Sequence, residues 1–357
     1  MGKELKSFAI WNNKGGVGKS TITYHLASRY AELHPEKKVL VIDLCPQANV
    51  SMMLLGGGLA GENAVLNLCT QATPRTVVGY LSTVIARGAA APLPDPNDFL
   101  THVHSVNPNM PNNLWILCGD GNLEPMAPAI TGAASAPSLT PQIVPWLWVH
   151  TIFRRLVVSL EAQGDDDVVV LIDTNPSFSI YTELAISAAD MLLTPVNADD
   201  SSRVAVNAMF ILLHGQVPPH PIYGSWTFAA QAQLHGMPVP KIHAIIGNRL
   251  TQNRGDAAAF GALSAASAAT LFAAFQQHPG YFTPRLHMAQ SVGAFENQYA
   301  LSLRDFNTAG IVAAHLGVPL SRLNGGHHAV HGQQVQLNQH RIAECRAAVD
   351  GILRVLP

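Results

Sequence analysis

The sequence predicts an α/β fold in which helices cover both faces of a mostly parallel sheet. Short apolar segments at residues 8–11, 38–43 and 168–173 alternate with longer helical segments, the order typical of βαβ units. The last two (KVLVID and VVVLID) show no alternation of apolar and polar residues, which indicates strands buried on both faces. A glycine-rich loop between the first strand and the first helix is the third observation. Together they predict a doubly wound sheet.

The remaining elements continue this alternation. Further strands are expected at residues 114–118, 191–195 and 242–246, and helices are expected from the glycine-rich loop to about residue 33 and at 76–87, 146–163 and 338–356. Residues 56–145 contain a Gly-Gly-Gly run and scattered proline and alanine, which predicts long insertions in the same domain. We therefore expect one domain over residues 1–330, with its insertion-rich region at 56–145, and a C-terminal helical extension over 331–357.

The amino-acid composition limits which classes of protein this chain can belong to. The 357 residues include 48% hydrophobic residues, enough for a large core, and only 12% charged residues, against about 25% in an average soluble protein. So sparse a charged surface predicts that part of it is covered, most simply by a second copy. The net charge of -2 excludes a strongly basic nucleic-acid-binding chain, though not a local basic face. Four cysteines without a CxxC pair, and no signal-peptide or membrane-spanning run, favour the cytoplasm.

The glycine-rich loop carries the chemistry. Residues 13–21 read NKGGVGKST, between a strand and a helix, which is typical of a phosphate-binding loop. Gly15, Gly16 and Gly18 permit backbone angles closed to other residues, so that successive N–H groups converge on a phosphate at a helix N-terminus. Lys19 would then bridge the β- and γ-phosphates, and the Ser20 hydroxyl would bind Mg²⁺.

The segment from Lys14 to Thr21 resembles the deviant Walker A box of the ParA/MinD/nitrogenase-iron-protein group of P-loop ATPases. The resemblance implies that Lys14 reaches across a dimer interface to the partner's nucleotide. It also implies ATP as the ligand, bound by Gly15, Gly16, Val17, Gly18, Lys19, Ser20 and Thr21.

Three more segments match this group in the expected order. Residues 39–49 resemble the ParA segment Asp-x-Asp-Pro-Gln-Gly-Asn, residues 169–177 resemble the Walker B strand, and residues 245–249 resemble the late strand whose Asn contacts adenine. The resemblance implies that Asp43 and Asp173, with Ser20, manage Mg²⁺ and that Asn248 contacts adenine. Thr283-Pro284-Arg285 is a weaker match to a later Ile-Pro-Arg segment. The Pro-Gln-x-Asn stretch favours the ParA branch.

The sequence departs from the family pattern at one catalytic position. Cys45 replaces the family's carboxylate that positions the attacking water, and a neutral thiol orients water poorly. We expect slow or negligible hydrolysis, with Asp43, two residues earlier on the same strand face, as a partial substitute. The alternative is that Cys45 is a tolerated substitution and another group places the water. Asn175, in place of the first Walker B proline, is expected to be neutral.

The resemblance implies a ParA-like partition or positioning ATPase. Two chains would sandwich two Mg-ATP molecules, bind DNA without sequence preference and, with a ParB-like or cargo adaptor protein, help to segregate a plasmid, chromosome or other cargo. Such a protein would be cytoplasmic and, with DNA bound, nucleoid-associated. Two alternatives stay open: an ATP-locked adaptor module with little turnover, and a MinD-like membrane-associated ATPase.

Other candidate sites have simpler interpretations. The His-rich stretch at 325–332 lacks an acidic or cysteine companion, so we expect a solvated loop rather than a metal site. The last helix is alanine-rich and lacks aromatic anchors, which favours docking on the core over membrane binding. Cys69 and Cys118 have no glycine-flanked setting that would suggest cluster ligands. A DNA-facing patch would draw on scattered arginines, which are too few to establish it: Arg249, Arg254, Arg285, Arg304 and Arg322.

Overall fold

The protein is described by a computed structural model. It covers residues 5–138, 141–163, 167–197, 200–248, 265–303, 307–330 and 332–356. Its strands are β1 (Leu5–Ile10), β2 (Lys38–Leu44), β3 (Thr101–His102), β4 (Leu114–Leu117), β5 (Val168–Thr174), β6 (Met191–Asn197), β7 (Lys241–Asn248), β8 (Ala300–Ser302), β9 (Gly326–Val330) and β10 (Gln333–Leu337).

Helices connect most of these strands. They are α1 (Lys19–Leu33), α2 (Asn49–Leu54), α3 (Gly58–Cys69), α4 (Val77–Arg87), α5 (Val103–Val106), α6 (Leu123–Ser135), α7 (Pro145–His150), α8 (Ile152–Gln163), α9 (Ile180–Ala188), α10 (Asp200–His214), α11 (Phe228–Leu234), α12 (Ala265–Gln277), α13 (Val292–Tyr299), α14 (Asn307–Leu316) and α15 (Gln339–Leu353). Short 3-10 turns lie at Pro96–Asp98, Gly224–Trp226 and Pro279–Tyr281.

Eight strands form one sheet in the order β3-β4-β2-β5-β1-β6-β7-β8. Every neighbouring pair is parallel except β3 and β4, which are antiparallel. This confirms the predicted α/β class and mostly parallel sheet. Because the strands are parallel, their carboxyl ends share one edge, where polar side chains of different strands meet. Asp43 at the end of β2 is in register with Asp173 at the end of β5.

The core has two halves, one on each face of the sheet. On β1, Phe8 and Ile10 pack into the half beneath α1, α14 and α15, whereas Ala9 packs into the half beneath α4, α8 and α9. The same alternation of period two runs through β2 and β5. All seven residues of β5 are buried. Burial on both faces explains why these strands carry no polar alternation.

The predicted helix at residues 146–163 is two helices in the structure. α7 ends at His150 and α8 begins at Ile152, with Thr151 between them. The Thr151 hydroxyl donates to the carbonyl of Leu147 at 2.7 Å, a local bond that competes with regular helix continuation. The apolar periodicity continues through Thr151, so the periodicity alone could not predict the break.

The C-terminal region differs from the prediction at its start. Residues 326–330 form β9, paired antiparallel with β10, so the expectation of a solvated loop there was wrong. Val330 and Leu337 are buried in the core half beneath α14, which anchors this hairpin. His331 lies outside the described residues. Among the residues that are described, no group of three or more His, Cys, Asp or Glu could hold a metal ion.

The last helix docks on the domain as expected. α15 packs against α1 and α14, and five of its apolar residues are buried: Ile342, Cys345, Val349, Ile352 and Leu353. Asp350 accepts hydrogen bonds from Arg29 of α1 at 2.7 and 3.2 Å. No helix within the described ranges is long and apolar enough to cross a bilayer.

Candidate functional site

The glycine-rich loop joins β1 to α1 at the carboxyl edge of the sheet. Gly16 and Gly18 have φ values of 71° and 84°, in the region that glycine adopts without strain. At Gly18 a side chain is excluded twice, because a Cβ would also lie 2.5 Å from Asn248 Nδ2. Gly15 and Gly16 are exposed, so the backbone of the loop is open to a ligand. Ser20 and Thr21, in the first turn of α1, are half-buried.

Lys19, the first residue of α1, lies inside this loop. It is buried, and its Nζ donates to the carbonyls of Asn12 and Lys14 at 3.2 and 3.1 Å. Burial lowers its pKa to about 8, although Asp173 and Cys45 oppose the shift. A phosphate beside it would raise this pKa again and offer stronger acceptors than the two carbonyls. Lys14 itself is half-buried, and its N–H donates to Asn12 Oδ1 at 3.0 Å.

Asp173 closes the same space from β5. Its carboxylate is fully buried, and Oδ1 accepts a hydrogen bond from Thr23 at 3.3 Å. Burial raises the pKa of Asp173, and the nearby charge of Asp43 raises it further, while a hydrogen bond from Ser20 lowers it. Oδ2 is buried without a hydrogen-bond partner among the described residues. A buried acceptor without a hydrogen-bond partner destabilises the fold unless a ligand donates a hydrogen bond to it or coordinates it.

Asp43, in register with Asp173, has a different set of partners. Its Oδ1 accepts from the N–H of Cys45 at 3.1 Å, and its Oδ2 accepts from the N–H and hydroxyl of Ser51 at 3.1 and 2.7 Å. The Ser51 hydroxyl accepts from the N–H of Gly119 at 2.8 Å. Burial raises the pKa of Asp43, and these three hydrogen bonds oppose the rise. Both carboxylate oxygens are therefore engaged in holding the segment from residue 45 to 51.

Cys45 is buried where β2 ends and this segment begins. Burial raises the pKa of its thiol to about 12, and the charges of Asp43 and Asp173 add to the shift. The thiol is thus neutral throughout the physiological range, and it lies close enough to Lys19 for that charge to oppose the shift. A neutral thiol at this place is a poor acceptor for a proton of water.

Asn248, at the end of β7, touches the phosphate loop. Its Nδ2 donates to the carbonyl of Val17 at 2.9 Å. Two residues that sequence reasoning missed flank it: Asn12, whose Nδ2 donates to the carbonyl of Pro195 at 2.7 Å, and Asn197, in register with Asn248 on β6. The Oδ1 of Asn197 is buried without a partner among the described residues. Only their position at the carboxyl ends of predicted strands could have signalled them.

These residues fit a nucleotide and Mg²⁺. Three properties support the fit: a loop with exposed glycines, a buried lysine whose ammonium donates to two backbone carbonyls, and a buried carboxylate oxygen without a hydrogen-bond partner among the described residues. Carboxylate and hydroxyl oxygens are the ligands that Mg²⁺ prefers. Asp173 and Ser20 supply such oxygens, whereas Asp43 would have to leave its bonds to Ser51 or act through water.

The candidate cationic patch is not assembled by the described residues. Arg285 donates to the carbonyl of His243 at 2.6 Å and lies over the ring of Tyr299, whereas Arg322 donates to the carbonyl of Pro108 at 3.2 Å. These two arginines have separate structural partners. Arg249, Arg254 and Arg304 lie outside the described residues.

Sequence comparisons place the chain near partition ATPases. A model of the AAA domain family matches residues 5–84. The chromosome-partitioning ATPase Soj of Thermus thermophilus is 29% identical over 197 residues, which cover 55% of this chain and 56% of Soj. The cell division protein PomZ of Myxococcus xanthus is 29% identical over 199 residues, which cover 56% of this chain and 48% of PomZ. The chain therefore spans about half the length of these relatives.

Solved structures share the fold over nearly the whole chain. Apo McdA of Cyanothece superimposes with a TM-score of 0.58 at 16% identity, covering 99% of this chain and 100% of McdA. A plasmid partition protein of Borrelia burgdorferi B31, bound to AMPPNP, gives a TM-score of 0.52 at 16% identity, covering 98% and 99%. At this identity the likeness shows the fold alone.

Proposed function

Because this chain belongs to the ParA/MinD type of P-loop ATPases, we propose that it is an ATP-dependent positioning protein that binds Mg-ATP at the loop between β1 and α1. One observation carries the proposal: the buried carboxylate of Asp173 interacts with Lys19 and Ser20, and its Oδ2 has no hydrogen-bond partner among the described residues. The names of Soj and PomZ, which refer to chromosome partitioning and cell division, support a positioning role.

The roles of the residues follow from their contacts. The open N–H groups at Gly15, Gly16 and Gly18 would hold phosphate oxygens, and Lys19 would exchange its two carbonyl partners for them. Ser20 and Asp173 would hold Mg²⁺, which supplies charge that stabilises the phosphates during transfer. Thr23 keeps the Asp173 carboxylate oriented. Asn248, already against the loop at Val17, would lie beside the bound nucleotide.

Hydrolysis is proposed to be slow, because the neutral, buried thiol of Cys45 replaces a carboxylate. Asp43 does not compensate readily, since both its oxygens hold the loop. The test is steady-state phosphate release by Cys45→Asp, with Cys45→Ser as the control that adds no charge. We expect Cys45→Asp to release phosphate faster than the wild type and Cys45→Ser not to. Equal rates for all three would mean that another group places the water.

Dimerisation is proposed to depend on ATP, with Lys14 acting across the interface. Light scattering in Mg-ATP and in Mg-ADP tests it directly. We expect the mass to double in Mg-ATP alone and Lys14→Ala to stay monomeric while it still binds ATP. A mass that is the same in both nucleotides would contradict the switch.

The partners are proposed to be DNA without sequence preference and a ParB-like or cargo adaptor protein, in the cytoplasm. Co-sedimentation with random-sequence DNA in Mg-ATP tests the first, with Mg-ADP as the control. Stoichiometric retention of ATP without DNA binding or phosphate release would instead favour the ATP-locked adaptor. Flotation with vesicles in ATP would favour the MinD-like alternative.

A further inference from the structure

A cavity of about 430 Å³ is lined by residues of α6, α7, α9, α11 and the 3-10 turn before α11. Two tryptophans, Trp146 and Trp226, line it together with Glu183 and Gln231. Trp226 is 76% exposed, although exposing a large aromatic side chain to water is unfavourable. None of the residues that line the cavity belongs to the nucleotide site.

The carboxylate of Glu183 is held in place but not fully used. Its Oε2 lies 2.8 Å from Nε2 of His150, and the other ring nitrogen of His150 lies 2.8 Å from the carbonyl of Trp146. No hydrogen bond or ion pair among the described residues uses Oε1 of Glu183. Because both nitrogens of His150 are occupied, the imidazole has no donor left for Oε1. One acceptor of the carboxylate therefore remains for a ligand.

Aromatic packing forms one wall of the cavity. The ring of Trp146 stacks on the ring of His150 with centroids 3.9 Å apart, and the ring of His235 lies 5.5 Å from its centroid. Phe228 packs against Trp146 and Phe178. Trp146 is thus packed among aromatic neighbours, whereas Trp226 makes no ring contact among the described residues and is 76% exposed.

A cavity lined by an exposed tryptophan and a carboxylate is suited to a cation. The π-system attracts a cation at its face, and the carboxylate accepts hydrogen bonds from a guanidinium group. Apart from the imidazole of His150, Glu183 is the one charged side chain among the residues that line the cavity. No lysine or arginine of the lining therefore competes for this place.

The surroundings indicate how the cation is presented. Exposed apolar side chains lie near the lining residues along the chain, at Val217 (90%), Ile222 (73%) and Tyr223 (50%) in the segment before Trp226, and at Leu234 (71%), three residues after Gln231. A free small cation would leave them in water, whereas apolar residues on both sides of an arginine would cover them. We propose that this cavity binds an arginine side chain of a partner polypeptide, with apolar flanking residues resting on its rim.

The test is calorimetric titration of the full chain with three blocked peptides: Leu-Arg-Leu, Leu-citrulline-Leu as the neutral isostere, and arginine amide alone. We expect one molecule of Leu-Arg-Leu per chain, with the citrulline peptide about tenfold weaker because its charge is absent. Arginine amide is expected to bind more weakly than Leu-Arg-Leu. Equal affinity for arginine and citrulline, equal affinity for arginine amide, or no binding of any peptide would each overturn the proposal.

Variants place the binding at this cavity. Trp226→Ala changes an exposed residue, so it should fold, and we expect it to weaken Leu-Arg-Leu about fivefold. Glu183→Gln should weaken it about tenfold or more. Leu286→Ala, at a 91% exposed apolar residue that does not line the cavity, is the matched control and should bind as the wild type does. Unchanged binding by Trp226→Ala would contradict the assignment.

Discussion

Asp43 and Asp173 occupy matching positions on neighbouring strands but differ in their hydrogen-bond partners. Both are fully buried, they are in register, and burial raises the pKa of each. Both oxygens of Asp43 accept hydrogen bonds from Cys45 and Ser51, whereas one oxygen of Asp173 has no hydrogen-bond partner in the described part of the chain. The neighbours of a carboxylate at the edge of a sheet therefore decide its role. A carboxylate whose oxygens are both hydrogen-bonded holds the chain in place as a scaffold, whereas one with an unpaired oxygen can act as a ligand.

The largest expected effect is at Lys19, on the phosphate side of this comparison. Lys19→Ala removes the buried cation, and we expect ATP affinity to fall about 100-fold, because charge-assisted bonds to phosphate are lost. Thermal unfolding without nucleotide should barely change, since a buried ammonium gains little from two carbonyl partners. ATP titration and a melting curve measure both. Retained affinity would remove Lys19 from the site.

The two aspartates should differ in their contribution to stability. Asp43→Asn places an NH₂ group where N–H or O–H donors now point, so we expect the free energy of unfolding to fall by about 2–3 kcal/mol. Asp173→Asn removes a buried charge with an unsatisfied oxygen, and stability without nucleotide should stay the same or rise. Urea denaturation of both variants measures this. Equal decreases in the free energy of unfolding would show that the two aspartates do not differ in this way.

Ser51 tests the scaffold itself. Ser51→Ala removes the hydroxyl that links Asp43 to Gly119, and we expect a loss of about 1–2 kcal/mol because buried partners stay unsatisfied. Ser177→Ala is the control, since within the described residues the hydroxyl of the exposed Ser177 bonds to Asn175 of its own turn alone, at 3.0 Å. A Ser51 variant as stable as the Ser177 variant would show that the link to Gly119 is dispensable.

His25 gives the smallest effect and a dependence on pH. It is buried in α1, and burial lowers its pKa to about 3. The unfolded chain takes up a proton at His25 below about pH 6.5 while the folded chain does not, so the contribution of His25 to stability falls as pH decreases from 6.5 towards 3, by about 1.4 kcal/mol per pH unit. The raised pKa values of Asp43 and Asp173 act in the opposite direction, so this contribution is the difference between the wild type and His25→Gln. Denaturation of the wild type and of His25→Gln at pH 7 and 5.5 measures this slope. A variant with the same slope would assign it to other groups.

The sequence predicted what depends on local pattern. The apolar run of β5, the glycine loop and the terminal helix were predicted close to their observed bounds, because burial on both faces and glycine conformation are local properties. The scaffold around Asp43 was not predicted, since the Ser51–Gly119 bond joins residues 68 positions apart. The β9–β10 hairpin was missed as well, because the pattern of Gly and His does not show that Val330 finds a buried place.

The most direct test of the account is the Mg²⁺ dependence of ATP affinity in the wild type, Asp173→Asn and Asp43→Asn. Mg²⁺ should strengthen ATP binding by the wild type and by any folded Asp43→Asn chain. It should have little effect on Asp173→Asn, which lacks the carboxylate that has a free oxygen. If Asp173→Asn keeps the full Mg²⁺ effect while Asp43→Asn loses it, the roles assigned to the two carboxylates are reversed and the account is contradicted.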